Sequence, residues 1–69
     1  MADRRVWRLR KLHQSVDAEL HPIGDEIEVR FLFNGELSYA QRCANREQAL
    51  ETAARKRAEL EREGWSFHW

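Results

Sequence analysis

The chain has 69 residues and balances 12 Lys/Arg against 12 Asp/Glu, so its net charge is zero. Of its apolar residues eight are alanine, which leaves a core for one small domain whose folding hides only about 60% of the unfolded surface. A single cysteine excludes an internal disulfide, no Cys/His spacing suits a structural metal, and the length argues against a self-contained enzyme with a deep pocket.

Charge is unevenly spread. Residues 1–15 form a basic segment, with Arg4, Arg5, Arg8, Arg10 and Lys11 against Asp3, a net of +4. Residues 16–37 carry a net of −5 and residues 38–69 a net of +1. Such a dipolar, neutral chain suits contact with another protein better than with nucleic acid, which calls for a clear basic excess. No apolar run reaches the roughly 18 residues of a membrane span, and no apolar stretch follows the basic start as in a secretory signal, so the expected location is cytoplasmic.

The first 21 residues admit two readings. Val6, Leu9, His13, Val16 and Leu20 recur at helical spacings of three and four, ending before Pro22. Val16, Ala18 and Leu20 also alternate with Asp17, Glu19 and His21, as in a strand that turns at Pro22–Gly24.

Residues 25–33 are clearer. Ile27, Val29, Phe31 and Phe33 alternate with Glu26, Glu28, Arg30 and Leu32, the period of a half-buried strand. After Asn34-Gly35 a second run sets Leu37, Tyr39, Gln41 and Cys43 on one parity. A two-residue turn would put Leu37 and Tyr39 on the face opposite the Ile/Val/Phe stripe. A three-residue loop, Phe33-Asn34-Gly35, would pair Phe31 with Leu37 and Val29 with Tyr39 and keep one apolar face; it is the expected form. The antiparallel sheet is expected over residues 16–43.

Residues 45–64 read as a helix with Asn45 as N-cap, Gln48 completing a capping box, and Gly64 at the left-handed C-terminal position. Its expected buried stripe is Leu50, Ala53, Ala54, Arg57 and Leu60, narrow enough to lie close to a sheet. Glu51–Arg55 and Arg57–Glu61 are expected solvent-side pairs. Residues 65–69 form an aromatic tail, Trp65-Ser66-Phe67-His68-Trp69, with two readings: it folds back as an added edge strand and closes the core, or it is an exposed anchor for a partner.

Trp7-Arg8-Leu9, Ala18-Glu19-Leu20, Asn34-Gly35-Glu36-Leu37, Glu47, Leu50, Leu60 and Gly64-Trp65 together resemble a group of short uncharacterised bacterial single-domain proteins ending in Gly-Trp. The resemblance spans most of the chain on small motifs. It implies a three-strand meander followed by one helix, with no activity, cofactor or site residue. The expected fold is therefore α+β, a three-stranded antiparallel meander packed by one C-terminal helix (βββα), with αββα as the alternative and residues 7–12 undecided between them.

Chemistry-bearing groups are sparse. His13, His21 and His68 lie in three different segments, and Cys43 sits on the apolar parity of the hairpin, as a buried thiol would. No serine has a nucleophile-elbow context, and Gly24, Gly35 and Gly64 are too far apart for a phosphate loop. No catalytic residue, cofactor, metal or small-molecule ligand is inferred. The expected function is a non-catalytic protein–protein interaction module, binding another protein or a second copy of itself through Trp7, Trp65, Phe67 and Trp69. The alternative is nucleic-acid binding through Arg4, Arg5, Arg8, Arg10 and Lys11, opposed by a sheet face expected to carry four acids (Asp17, Glu19, Glu26, Glu28) against Arg30 and Arg42.

Overall fold

A computed structural model describes residues 4–66. The fold is α+β, with strands β1 (Arg5–Lys11), β2 (Gln14–Ile23), β3 (Glu26–Phe33) and β4 (Glu36–Cys43) followed by helix α1 (Arg46–Arg62). All four strands pair antiparallel in the order β1-β2-β3-β4, and α1 crosses one face. The sheet thus has one strand more than the three expected, and the helical alternative for the N-terminal segment does not hold. Residues 5–11 form an edge strand that buries Trp7 and Leu9 while Arg8 and Arg10 point to the other face.

Three two-residue turns join the strands: Leu12-His13, Gly24-Asp25 and Asn34-Gly35. Pro22 is not a turn residue; it lies in β2 opposite Ile27. Its missing N–H is harmless there. Leu20 donates to the Arg4 carbonyl at 3.0 Å, and alternate residues of β2 face β1, so Pro22 faces outward beyond that bond.

The β3–β4 hairpin departs from the expected three-residue loop. Phe33 stands opposite Glu36 across an Asn34-Gly35 turn in which both residues have positive φ, 52° and 86°. That is the twist a two-residue hairpin requires, and Asn-Gly supplies it at least cost. Leu32 then faces Leu37, and the register shifts so that Phe31 faces Tyr39. Ser38 is the extra residue of a β-bulge. The bulge, not a longer loop, returns Tyr39, Gln41 and Cys43 to the helix side, and it leaves Leu37 on the opposite face.

Leu12 has φ 56° and is 90% exposed. A leucine in the left-handed region is strained by about 1–2 kcal/mol and here gains no packing in return. Leu12→Asn is expected to stabilise the chain by about 1 kcal/mol, read as a higher urea midpoint with an unchanged slope. An unchanged or lower midpoint would show that the turn is not strained.

The helix begins as expected: Asn45 Oδ1 accepts from the Gln48 amide at 2.9 Å, while Gln48 Oε1 reaches back to the Ala44 amide at 3.2 Å. It ends in a Schellman arrangement, with Gly64 at φ 102°, its N–H donating to the Glu61 carbonyl at 3.1 Å, and the Trp65 N–H donating to the Leu60 carbonyl at 3.0 Å. Leu60 and Trp65, both buried, make the apolar contact that this cap favours. The buried stripe is Ala49, Ala53 and Leu60; Leu50 and Ala54 are exposed, so the helix is rotated relative to the expected face. Arg57–Glu61 pairs at 3.2 Å as expected, and Lys56–Glu59 at 3.7 Å adds an exposed pair. No described helix is long and apolar enough to cross a membrane.

Candidate interaction surface

The aromatic residues expected to contact a partner are divided. Trp7 is buried between the sheet and α1, its Nε1 donating to the Ala53 carbonyl at 3.1 Å and its ring 6.1 Å from that of Phe31. Trp65 is buried edge-on against Phe33 at 6.2 Å. Both indoles therefore belong to the chain's own core and present no free face. Phe67 and Trp69 lie outside the described residues. Just before them, Ser66 and Arg10 exchange two backbone hydrogen bonds, 2.7 and 3.0 Å, so Ser66 lies on the outer edge of β1.

The five basic residues are not gathered into one patch. Arg8 forks onto Asp17 with bonds of 2.6 and 2.9 Å, and this hydrogen bond holds its guanidinium above the ordinary arginine value. Arg4 donates to His21 Nδ1 at 3.2 Å, so the other ring nitrogen of His21 carries the proton it gives to Glu19 at 2.7 Å. Lys11 turns to the helix end and caps the Glu63 carbonyl at 2.7 Å. Arg5 and Arg10 lie opposite Glu19 and Ser15.

The sheet face away from the helix also differs from expectation. The unforeseen fourth strand adds Arg5, Arg8 and Arg10 to Arg30 and Arg42, so five arginines now stand against the four acids. The signs alternate across the strands. Arg30 bonds Glu28 at 2.5 Å, and Arg42 reaches Glu26 at 3.4 Å. This face is a cross-linked ionic surface, neither strongly basic nor apolar.

Two of the exposed large apolar side chains, Leu37 and Tyr39, share strand β4. The helix packs chiefly over β3 and meets Trp7 of β1 at Ala53, yet every β4 residue except Cys43 is exposed. Tyr39 stacks on Phe31 at 6.1 Å yet remains 56% exposed, and Leu37 is 60% exposed on the other side. Between β4 and α1 runs an open groove of about 520 Å³, lined by Phe31, Tyr39, Gln41, Thr52, Arg55 and Glu59. A second hollow of about 260 Å³ shares Gln41, Thr52 and Arg55 with it and carries the groove on to Cys43. Cys43 is buried with its Sγ 3.7 Å from Thr52 Oγ1. Among the described residues no His, Cys, Asp and Glu side chains gather into a metal-holding group.

Backbone groups add to this surface. Asn34 donates its N–H to the Ser15 carbonyl at 2.9 Å, so even-numbered residues of β3 turn toward β2 and odd-numbered ones toward β4. The pairs Phe31–Tyr39 and Val29–Gln41 are then the hydrogen-bonded ones, and Ala40 and Arg42 turn their N–H and C=O groups outward. Among the described residues no strand pairs with that edge. Tyr39 and Leu37 were missed as contact candidates because their parity marked them as core. The usable signal was the lack of charge from Leu37 to Gln41.

No family model matches the chain, and no curated protein or solved structure matches it either. The likeness to short bacterial proteins stands on its motifs alone.

Proposed function

We propose that this chain is a non-catalytic protein–protein interaction module whose contact surface is β4 and the groove beside α1. The observation that carries the reading is the combination on one strand of outward backbone groups with the exposed side chains of Leu37 and Tyr39. Strand addition to a sheet edge uses these elements: the backbone supplies affinity, and pockets for alternate side chains supply selectivity. Trp7 and Trp65 serve this surface indirectly, by holding the sheet and helix that frame it.

The nucleic-acid alternative is the weaker proposal. Arg4, Arg8 and Lys11 each already bond within the chain, and the face they border is close to neutral.

The test is a pull-down with tagged protein from lysate of its own source, with an untagged copy added, with and without nuclease and at two salt concentrations. A protein partner, or the untagged copy, should be retained through nuclease and salt and lost when Leu37 and Tyr39 are both replaced by serine. Recovery of nucleic acid instead, released as salt rises, would refute the module reading and establish the alternative.

A further inference from the structure

We propose that the occupant of the β4 edge is a second copy of this chain, paired antiparallel through β4 about a two-fold axis perpendicular to the sheet. The two four-stranded sheets then join into one, with both helices on the same side. The inference rests on the reading of β4 as the contact surface and names its partner.

The two sheet edges are treated differently. The β1 edge is obstructed in three ways: a bulge at Val6, a run of basic residues, and the Ser66 bridge on its outer side. These are the devices by which edge strands avoid pairing. The β4 edge has a bulge only at Ser38, near its start, and no proline or lysine anywhere along it. Its regular part, Tyr39 to Cys43, offers unpaired backbone groups.

Charge favours a copy of the same strand running the opposite way. About a two-fold axis residues meet themselves or close neighbours, so a charge near the midpoint would face its like. Leu37 to Gln41 carry no charge, although 24 of the 69 residues in the chain are charged. The flanking charges are Glu36 at one end and Arg42 at the other. Antiparallel pairing sets the acidic end of each strand alongside the basic end of its mate, whereas parallel pairing sets like beside like. Glu36 projects to the helix side and Arg42 to the open side, so the gain is attraction between strand ends rather than a direct bond.

Side-chain cover completes the interface. A stable interface hides roughly 1,000 Å² or more in total, beyond what backbone pairing over a few residues supplies. In the paired form the grooves of the two copies become the two halves of one trough between the helices. Tyr39 of each copy lies on its floor, shielded by the other.

Sedimentation equilibrium of the purified full chain, from micromolar to near-millimolar concentration, reads the outcome. The mass should rise from 8.3 kDa toward twice that value. Ala40→Pro, which removes an outward N–H, and Ala40→Lys, which sets like charges together near the axis, should each weaken association at least about tenfold. Ala40→Cys on a Cys43→Ala background should form a disulfide-linked dimer under mild oxidation, while Arg62→Cys on the same background should not. A mass of 8.3 kDa at every concentration overturns the homodimer. If Ala40→Pro then still abolishes capture of a different protein, the module reading stands with a foreign strand as occupant; if nothing is captured, both fail. A dimer indifferent to all three changes at Ala40 overturns the β4 seam.

Discussion

Trp7→Ala is expected to leave much of the population unfolded at 37 °C. The indole is 5% exposed, lies between β1 and α1 and packs on Phe31. Truncating a buried Trp to Ala costs about 3–5 kcal/mol, because the cavity collapses only in part. A chain of this length has only about 3–10 kcal/mol in total. The lost hydrogen bond is the smaller part, since the Ala53 carbonyl lies within α1 and keeps its helical partner. Trp7→Phe should therefore cost clearly less, about 1–2 kcal/mol, by retaining most of the ring volume. Urea unfolding followed by far-UV circular dichroism separates the two. A loss under about 1 kcal/mol for Trp7→Ala would show that the indole is not the centre of the core. The consequence for function is direct: lost binding in a Trp7 variant reports unfolding, so contacts must be probed at Tyr39 and Leu37.

The parts of the fold legible in the sequence were those with a repeated local signal. β3 alternates over its whole length, and α1 carries Asn45 at one end and Gly64 at the other, both used as caps. β1 escaped because two irregularities break its period. The bulge at Val6 adds one residue, and the turn at Leu12-His13 interrupts the alternation between Leu9 and Val16. Together they space Val6, Leu9, His13, Val16 and Leu20 as a helix would. In the β3–β4 hairpin, parity correctly demanded one extra residue to bring Tyr39 to the helix side of the sheet. It could not say whether that residue sat in the turn or in the strand; Ser38 takes the second option, and Tyr39 reaches the helix side of the sheet without being covered.

The candidate surface was less legible, because it depends on where the helix lies. Alanines at 49 and 53 let α1 lie close over Trp7 and the middle of the sheet, and β4 stays exposed up to Cys43. Beyond the missing charge from Leu37 to Gln41, nothing in the local pattern of β4 distinguishes Tyr39 exposed beside a groove from Tyr39 under a helix. The tail posed the same problem. Trp65 is drawn into the core by the Schellman turn at Gly64, a geometric outcome that its aromatic character alone does not dictate.

Arg8→Ala should be the most destabilising change on the face away from the helix. Asp17 is only 7% exposed there, covered by its neighbours, and both carboxylate oxygens are engaged by Arg8. Removing the guanidinium strands a largely buried negative charge. Breaking a fully buried pair costs about 3–5 kcal/mol, and the partial exposure of Arg8 lowers the expected value to about 2–3 kcal/mol. Asp17→Asn should cost less, about 1 kcal/mol, because the freed arginine reaches water and the amide oxygen still accepts a bond. Arg8→Lys should fall between the two: it keeps the charge and loses the two-pronged geometry. Urea midpoints of the three variants give the order, and equal losses at Arg8 and Asp17 would mean that solvent reaches the pair freely. The same asymmetry bears on the nucleic-acid alternative. An arginine that must neutralise its own carboxylate contributes little to a phosphate contact. Any salt-dependent affinity for nucleic acid should then survive Arg8→Lys almost unchanged and fall with Arg10→Ala, whose side chain is exposed on the same strand.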